Sequence, residues 1–200
     1  MPVLVTKPAP DFTAAAVFPG KHIKQFTLSE WKGKYGILLF YPMDFSLLCP
    51  TEIIAFNQKI KEFHKRNCKV AAISTDSEYA HLAWCNLSPE KGGIGELSFP
   101  LISDKTKNIT RQYGILHDHS VALRGLFLLD RDGIVRHELI NDLSMGRSVE
   151  EALRILDALI HYETYGDVCP ADWKPGMDGL KTPAEGMIDY MAKLYYETGL

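Results

Sequence analysis

The sequence predicts an α/β domain on a central sheet that is part parallel and part antiparallel. Apolar, β-branched runs alternate with amphipathic stretches, the pattern of strands joined by crossover helices. Late in the chain two strands follow each other with no helix between them, which adds the antiparallel portion. With 200 residues, 46% hydrophobic and 24% charged, the chain has enough apolar material for one well-filled core.

Taken in order, Tyr35 to Tyr41 is an uninterrupted apolar run and reads as a strand buried on both faces. Pro42 opens a loop, and over Thr51 to Lys65 the residues Ile53, Ile54, Phe56, Ile60 and Phe63 recur at helical spacing. Lys69 to Ser74 is a second buried strand, followed by a helix over Ser77 to Asn86 with Ser77 as its cap. Beyond the glycine-rich Gly92 to Gly95 loop come a short strand, Phe99 to Ser103, and a short helix, Lys105 to Tyr113. Ala122 to Leu129 and Gly133 to Ile140 flank an Asp-Gly turn signal at Asp130 to Gly133 and form the predicted hairpin. Ser148 and Glu151 stand at capping-box spacing ahead of Ala152, Leu153, Leu156, Leu159 and Ile160, so a helix runs from about Val149 to Tyr162. From Asp167 to Pro183 prolines and glycines dominate, and Ala184 to Glu197 is weakly helical. This reads as an arm laid over the domain or over a partner, giving a domain of residues 1–165 and a C-terminal arm of residues 166–200.

Composition excludes several classes of function. A net charge of -3 without a basic cluster argues against a nucleic-acid partner. The longest apolar runs fall far short of the roughly 20 residues of a spanning helix, so no membrane segment is expected. Met1 to Asp11 lacks the basic start, apolar core and cleavage site of a secretory signal, and a cytoplasmic location is the expectation. The four cysteines, Cys49, Cys68, Cys85 and Cys169, form no Cys-x-x-Cys pair and have no histidine at zinc-ligand spacing. His117 and His119 lack a third ligand nearby, and neither metal nor cofactor is expected.

Cys49 lies where the loop after a buried strand enters a helix, with Pro50 beside it. Unpaired amides and the partial positive charge of a helix start favour the thiolate, the reactive form of cysteine. From that position alone a packed core thiol fits equally well, because free cysteine is among the most buried residue types. Cys68 and Cys85 read as packing residues.

The neighbours of Cys49 add a second line of argument. Pro42-Met-Asp-Phe-Ser-Leu-Leu-Cys49-Pro-Thr-Glu52 resembles the active-site motif of the typical two-cysteine peroxiredoxins, the alkyl hydroperoxide reductase C and thioredoxin peroxidase type. The resemblance extends from Lys7 through Trp84, Gly92 to Gly95, Arg124 and Arg147 to the Trp173-Lys-Pro-Gly176 segment, nearly the whole chain. It implies a thioredoxin-like fold with an N-terminal extension and a C-terminal arm, and reduction of hydrogen peroxide and organic hydroperoxides. Cys49 takes the place of the attacking thiol, Pro42 shields it, Ser46 hydrogen-bonds the peroxide, and Arg124 stabilises the thiolate and the polarised oxygens. Glu52 and Arg147 match the carboxylate and arginine around that site; a surface pair is their alternative reading. Cys169, in Val168-Cys-Pro-Ala-Asp-Trp-Lys-Pro-Gly176, matches the resolving cysteine, implied to act on the other chain of a homodimer that assembles into a decamer. The implied reductant is thioredoxin or a dedicated flavoprotein, and over-oxidised members of the family can act as holdase chaperones.

The chain departs from the family pattern at three places. Ser46 stands where threonine is commoner, Leu47-Leu48 replaces Phe-Val, and Tyr190-Met191 replaces the Tyr-Phe of members sensitive to over-oxidation. The full Gly92 to Gly95 loop points the other way, toward sensitivity. Among rival activities, a disulfide reductase would need the missing Cys-x-x-Cys. A cysteine protease would need a placed histidine base, and no motif supplies one.

Overall fold

The apolar runs of the sequence lie side by side in the middle of one sheet. The computed structural model describes residues 3–181 and 185–198. Its strands are β1 (Thr13–Phe18), β2 (His22–Thr27), β3 (Tyr35–Phe40), β4 (Cys68–Ser74), β5 (Leu101–Ser103), β6 (Leu116–His117), β7 (Val121–Ala122), β8 (Arg124–Leu129) and β9 (Val135–Asn141). Seven of them form a sheet in the order β2-β1-β5-β4-β3-β8-β9, while β6 and β7 pair separately. β3 runs parallel to β4, and β4 to β5, but β3 is antiparallel to β8 and β8 to β9. The expected mixed sheet is therefore present. All six residues of β3 and of β8 are buried, which is why β3 and the Leu126 to Leu129 part of β8 read as unbroken apolar runs rather than as alternating ones.

The helices are α1 (Cys49–Gln58), α2 (Ile60–Lys65), α3 (Glu78–Asn86), α4 (Asn108–Gln112), α5 (Val149–Tyr165) and α6 (Glu185–Thr198). The single helix expected over Thr51 to Lys65 is two. Its ladder is interrupted at Lys59, whose ψ of 5° leaves the helical range and whose carbonyl accepts from Glu62, three residues on. Ser77 caps α3 as expected, its hydroxyl accepting from the Ala80 amide at 3.2 Å. The helix expected over Lys105 to Tyr113 shortens because Lys107 turns left-handed (φ 60°) and Asp104 takes over the capping, accepting from the Ile109 and Thr110 amides. Ala122 belongs to β7 rather than to the long hairpin. The Asp130 to Gly133 turn closes as predicted, with Asp130 Oδ1 accepting from the amides of Asp132 and Ile134 at 2.9 Å each.

The β1–β2 hairpin is not marked in the sequence reading. β1 pairs with β5 and extends the sheet, and the segment before it is tied down by Thr6 N–H to Val135 O and Ala9 N–H to Gly133 O. At the C-terminal end of β3, Phe40, Tyr113 and Phe127 pack ring against ring at 5.0 to 5.6 Å. This rigid cluster fixes the point at which the chain leaves the sheet for Pro42 and Cys49.

The chain groups into two compact units, residues up to Val149 and residues from Glu150 onward. In the second, α5 runs three residues further than expected and the arm folds on itself through paired backbone bonds between Val168 and Leu180 (3.0 and 2.8 Å). Trp173, 2% exposed, stacks on His161 with ring centroids 4.8 Å apart. The weakly helical stretch is α6; its expected start at Ala184, and Pro183 before it, lie outside the described residues, as does Met1.

Candidate active site

α1 buries one stripe, Cys49, Glu52, Ile53 and Phe56, spaced as one helical face. That geometry puts a thiol and a carboxylate together inside the protein at a helix start, where an unpaired charge would be costly. Two arginines answer it. Arg124, first residue of β8, extends Nη1 to 3.4 Å from Cys49 Sγ and to 2.6 Å from Glu52 Oε2, while its Nε donates to Leu143 O at 2.8 Å. Arg147 donates from Nε to Glu52 Oε1 at 2.8 Å and from Nη2 to Glu52 Oε2 at 3.0 Å, and its backbone amide reaches Oε1 as well, at 2.8 Å. Its Nη1 binds the carbonyls of Phe40 and Gly125 at 2.6 Å each, joining the ends of β3 and β8.

Every member of this group is buried: Cys49 is fully so, and Glu52, Arg124 and Arg147 are at most 7% exposed. Burial pushes the Glu52 carboxyl upward, but the Arg147 side-chain bonds and charge, its amide, and the Arg124 charge outweigh that and hold it below its ordinary range. Burial draws Arg147 down, opposed by Glu52. The surface-pair alternative for Glu52 and Arg147 is thereby replaced by a buried, fully bonded cluster.

The loop from Pro42 to Leu48 covers this end of the sheet. Pro42 is buried; Ser46 is half-buried, with its hydroxyl donating to Met43 O at 3.2 Å. Met43, Phe45 and Leu47 face outward, Leu47 at 95% exposure. The other cysteines have different settings. Cys68 and Cys85 are buried thiols whose burial pushes them up, Cys85 to about 11. Neither has a cationic donor like that of Cys49. Cys169 is half-buried, its thiol 3.6 Å from Ala158 O, and burial raises it against the opposing charge of Arg154. Arg154 itself is gripped by Glu151 and donates to Trp173 O at 3.0 Å.

Several participants are not identified by sequence reasoning. Leu143 contributes only a carbonyl, which no side-chain motif reveals. Asp44 and His81 form a buried pair, Nδ1 to Oδ2 at 2.8 Å, with Tyr41 Oη on the other carboxylate oxygen at 2.7 Å. Their separation of 37 residues hides the pairing, although an acidic residue inside an apolar loop motif is a signal worth testing. Trp84 connects two loops: its ring lies 5.9 Å from that of Phe45, and its Nε1 donates to Gly92 O. Among the described residues no group of three or more His, Cys, Asp or Glu could hold a metal ion, and no helix is long and apolar enough to cross a membrane.

Comparison with known proteins places this geometry. The AhpC/TSA family model matches residues 5–138, and that of the C-terminal domain of 1-Cys peroxiredoxin matches residues 158–191. Alkyl hydroperoxide reductase C of Helicobacter pylori strain J99 is 49% identical over 94% of this chain and 96% of its own. Thioredoxin peroxidase of Echinococcus granulosus is 49% identical over 96% of this chain and all of its own, and bovine peroxiredoxin-2 is 47% identical over 94% and 95%. The structure of reduced Plasmodium vivax 2-Cys peroxiredoxin superposes with a TM-score of 0.94 at 47% identity, covering 96% of this chain and all of that one. The thioredoxin-like fold is thus established, and with it the conclusion that the chain is a peroxidase of the AhpC/TSA family, a peroxiredoxin.

Proposed function

We propose that Cys49 attacks hydrogen peroxide and organic hydroperoxides as a thiolate. The observation that carries this reading is the Arg124 guanidinium, donating to Cys49 Sγ and clamped in place by Glu52 and Leu143 O. With Cys49 as thiolate, two anions face two guanidinium cations and the buried group is neutral. Sγ attacks one peroxide oxygen, the O–O bond breaks, and the proton of the hydroperoxide goes to the leaving oxygen, giving Cys49 sulfenate and water or an alcohol; a proton taken up from solvent completes the sulfenic acid. Negative charge grows on the leaving oxygen, and fixed donors lower that barrier. Arg124 Nη2, which bonds no described residue, is the free donor; Pro42 screens the thiol and Ser46 offers a hydroxyl once it leaves Met43 O. Arg147, whose bonds go to Glu52 and to the carbonyls of Phe40 and Gly125, positions Glu52 and Arg124.

Sulfenic acid condenses with thiols, and Cys169 of a partner chain supplies one, forming an intermolecular disulfide that thioredoxin or a flavoprotein reductase returns to thiols. Residues 1–165 then carry peroxide chemistry and residues 166–200 its resolution. The outward apolar side chains Met43, Phe45 and Leu47 favour assembly of homodimers into a decamer, in the cytoplasm, with holdase activity when over-oxidised. The test is peroxide consumption with each reductant. Cys49→Ser should abolish turnover, and Cys169→Ser should stop it after one equivalent. Wild-type rates in Cys169→Ser with thioredoxin would remove Cys169 from the scheme.

A further inference from the structure

The loop that presents Pro42 and Ser46 is braced from below by a buried polar group that the chemistry of Cys49 does not use. α3 buries one face, Glu78, His81, Trp84 and Cys85, and His81 has no exposed surface. Both of its ring nitrogens have partners. Nδ1 lies 2.8 Å from Asp44 Oδ2, and Nε2 lies 3.2 Å from the backbone carbonyl of Ile102 in β5. A carbonyl oxygen only accepts, so Nε2 carries a proton. Asp44 Oδ1 accepts from Tyr41 Oη, and Tyr41, buried beside Asp44, is pushed well above its ordinary range and keeps its proton as that donor. A carboxylate holding one such bond needs a second donor, and Nδ1 at 2.8 Å is placed to give it.

We infer that His81 stands as an imidazolium, both nitrogens donating, and that its pairing with Asp44 positions the Pro42 to Leu48 loop for the Cys49 reaction. The inference rests on the peroxidase reading of Cys49. Tautomers are assigned from bonding networks, and here each neighbour contributes. Asp44 and Tyr41 face one side of the ring and Ile102 O the other. Asp76 holds the Asp44 amide at 2.9 Å and accepts Ser74 Oγ at 2.6 Å. A carboxylate with so little exposure costs least when a cation neutralises it. The loop is therefore fixed at Asp44, by backbone to Asp76 and by side chain to Tyr41 and to His81 of α3, which is itself held by Ile102 O of β5. His81 touches no reacting atom; it is a positioning residue.

Nitrogen-15 NMR of protein labelled at histidine reads the charge state directly, with the His81→Gln variant identifying the resonance. Both His81 nitrogens should be of the protonated type in the wild type, and Asp44→Asn, which can donate to Nδ1, should convert that nitrogen to the unprotonated type. In stopped-flow oxidation of Cys49, His81→Gln and Asp44→Ala should slow the peroxide step by about tenfold or more, as displaced positioning groups do. Asp44→Asn should recover part of that loss. An unprotonated His81 nitrogen in the wild type overturns the charge assignment, and a wild-type peroxide rate in His81→Gln overturns the positioning role. Failure of the peroxidase reading would look different: the wild type itself would consume no peroxide, while the NMR result would still decide the state of His81.

Discussion

The two cysteines given roles in the reaction sit in opposite kinds of surroundings. Cys49 is fully buried, with its guanidinium partner also tied to Glu52 and to the Leu143 carbonyl, while Cys169 is half-buried on a segment held by Trp173, one arginine bond and one backbone pair. The first setting suits a thiol whose transition state must find donors already in place, since preorganisation is the larger part of such stabilisation. The second suits a thiol that must leave its resting contacts to meet an oxidised partner, which needs local opening at low cost.

Four substitutions test that contrast. Arg124→Ala should slow Cys49 oxidation by about 10² to 10³-fold, read by stopped-flow mixing, and leave alkylation of Cys169 unchanged; a loss under threefold would show that the cage does not drive the chemistry. Glu52→Gln leaves two buried guanidinium groups short of an anion and should cost about 4 kcal/mol of unfolding free energy, read in denaturant. Because the folded Glu52 carboxyl is held below its ordinary value of 4.5, its contribution is complete above that value and disappears as pH falls through the folded one. The wild type should therefore lose stability on acidification more steeply than Glu52→Gln. Trp173→Ala should cost about 3 kcal/mol, confined to the arm. Hydrogen exchange over residues 168–180 should accelerate while the peroxide rate at Cys49 stays within twofold. Arg154→Ala, removing one bond to Trp173 O, should release about 1 kcal/mol of local stability and be visible as faster alkylation of Cys169.

How much of this was legible in the sequence depended on the range of the interaction. β3, β4 and β8 announce themselves through the continuous apolar runs that strands buried on both faces carry, and Ser77 and the Asp130 to Gly133 turn are signals contained within a few residues. The β1–β2 hairpin lacked such a signal: its first strand is rich in alanine, and β2 has four exposed residues in a row. The break at Lys59 is a backbone event in an otherwise continuous helical pattern. At the active site, Cys49 and Glu52 share a helical face that spacing predicts, but Arg124 lies 75 residues from Cys49 and Arg147 95 residues from Glu52. Only the family resemblance brought those arginines forward. Asp44 and His81 matched nothing singled out in the motif, and their pairing emerges from the fold alone.

The neutral count of charges around Cys49 has a consequence for the redox couple. Whatever free energy the two guanidinium groups lend the thiolate belongs to the reduced protein only; a sulfenic acid or disulfide sulfur carries no charge for them to meet. That difference enters the reduction potential directly, at about 30 mV for each 1.4 kcal/mol in a two-electron couple. On the proposed reading of Cys49 as the attacking thiolate, the same arrangement therefore also makes its oxidised forms better oxidants, and so biases the proposed cycle toward regeneration.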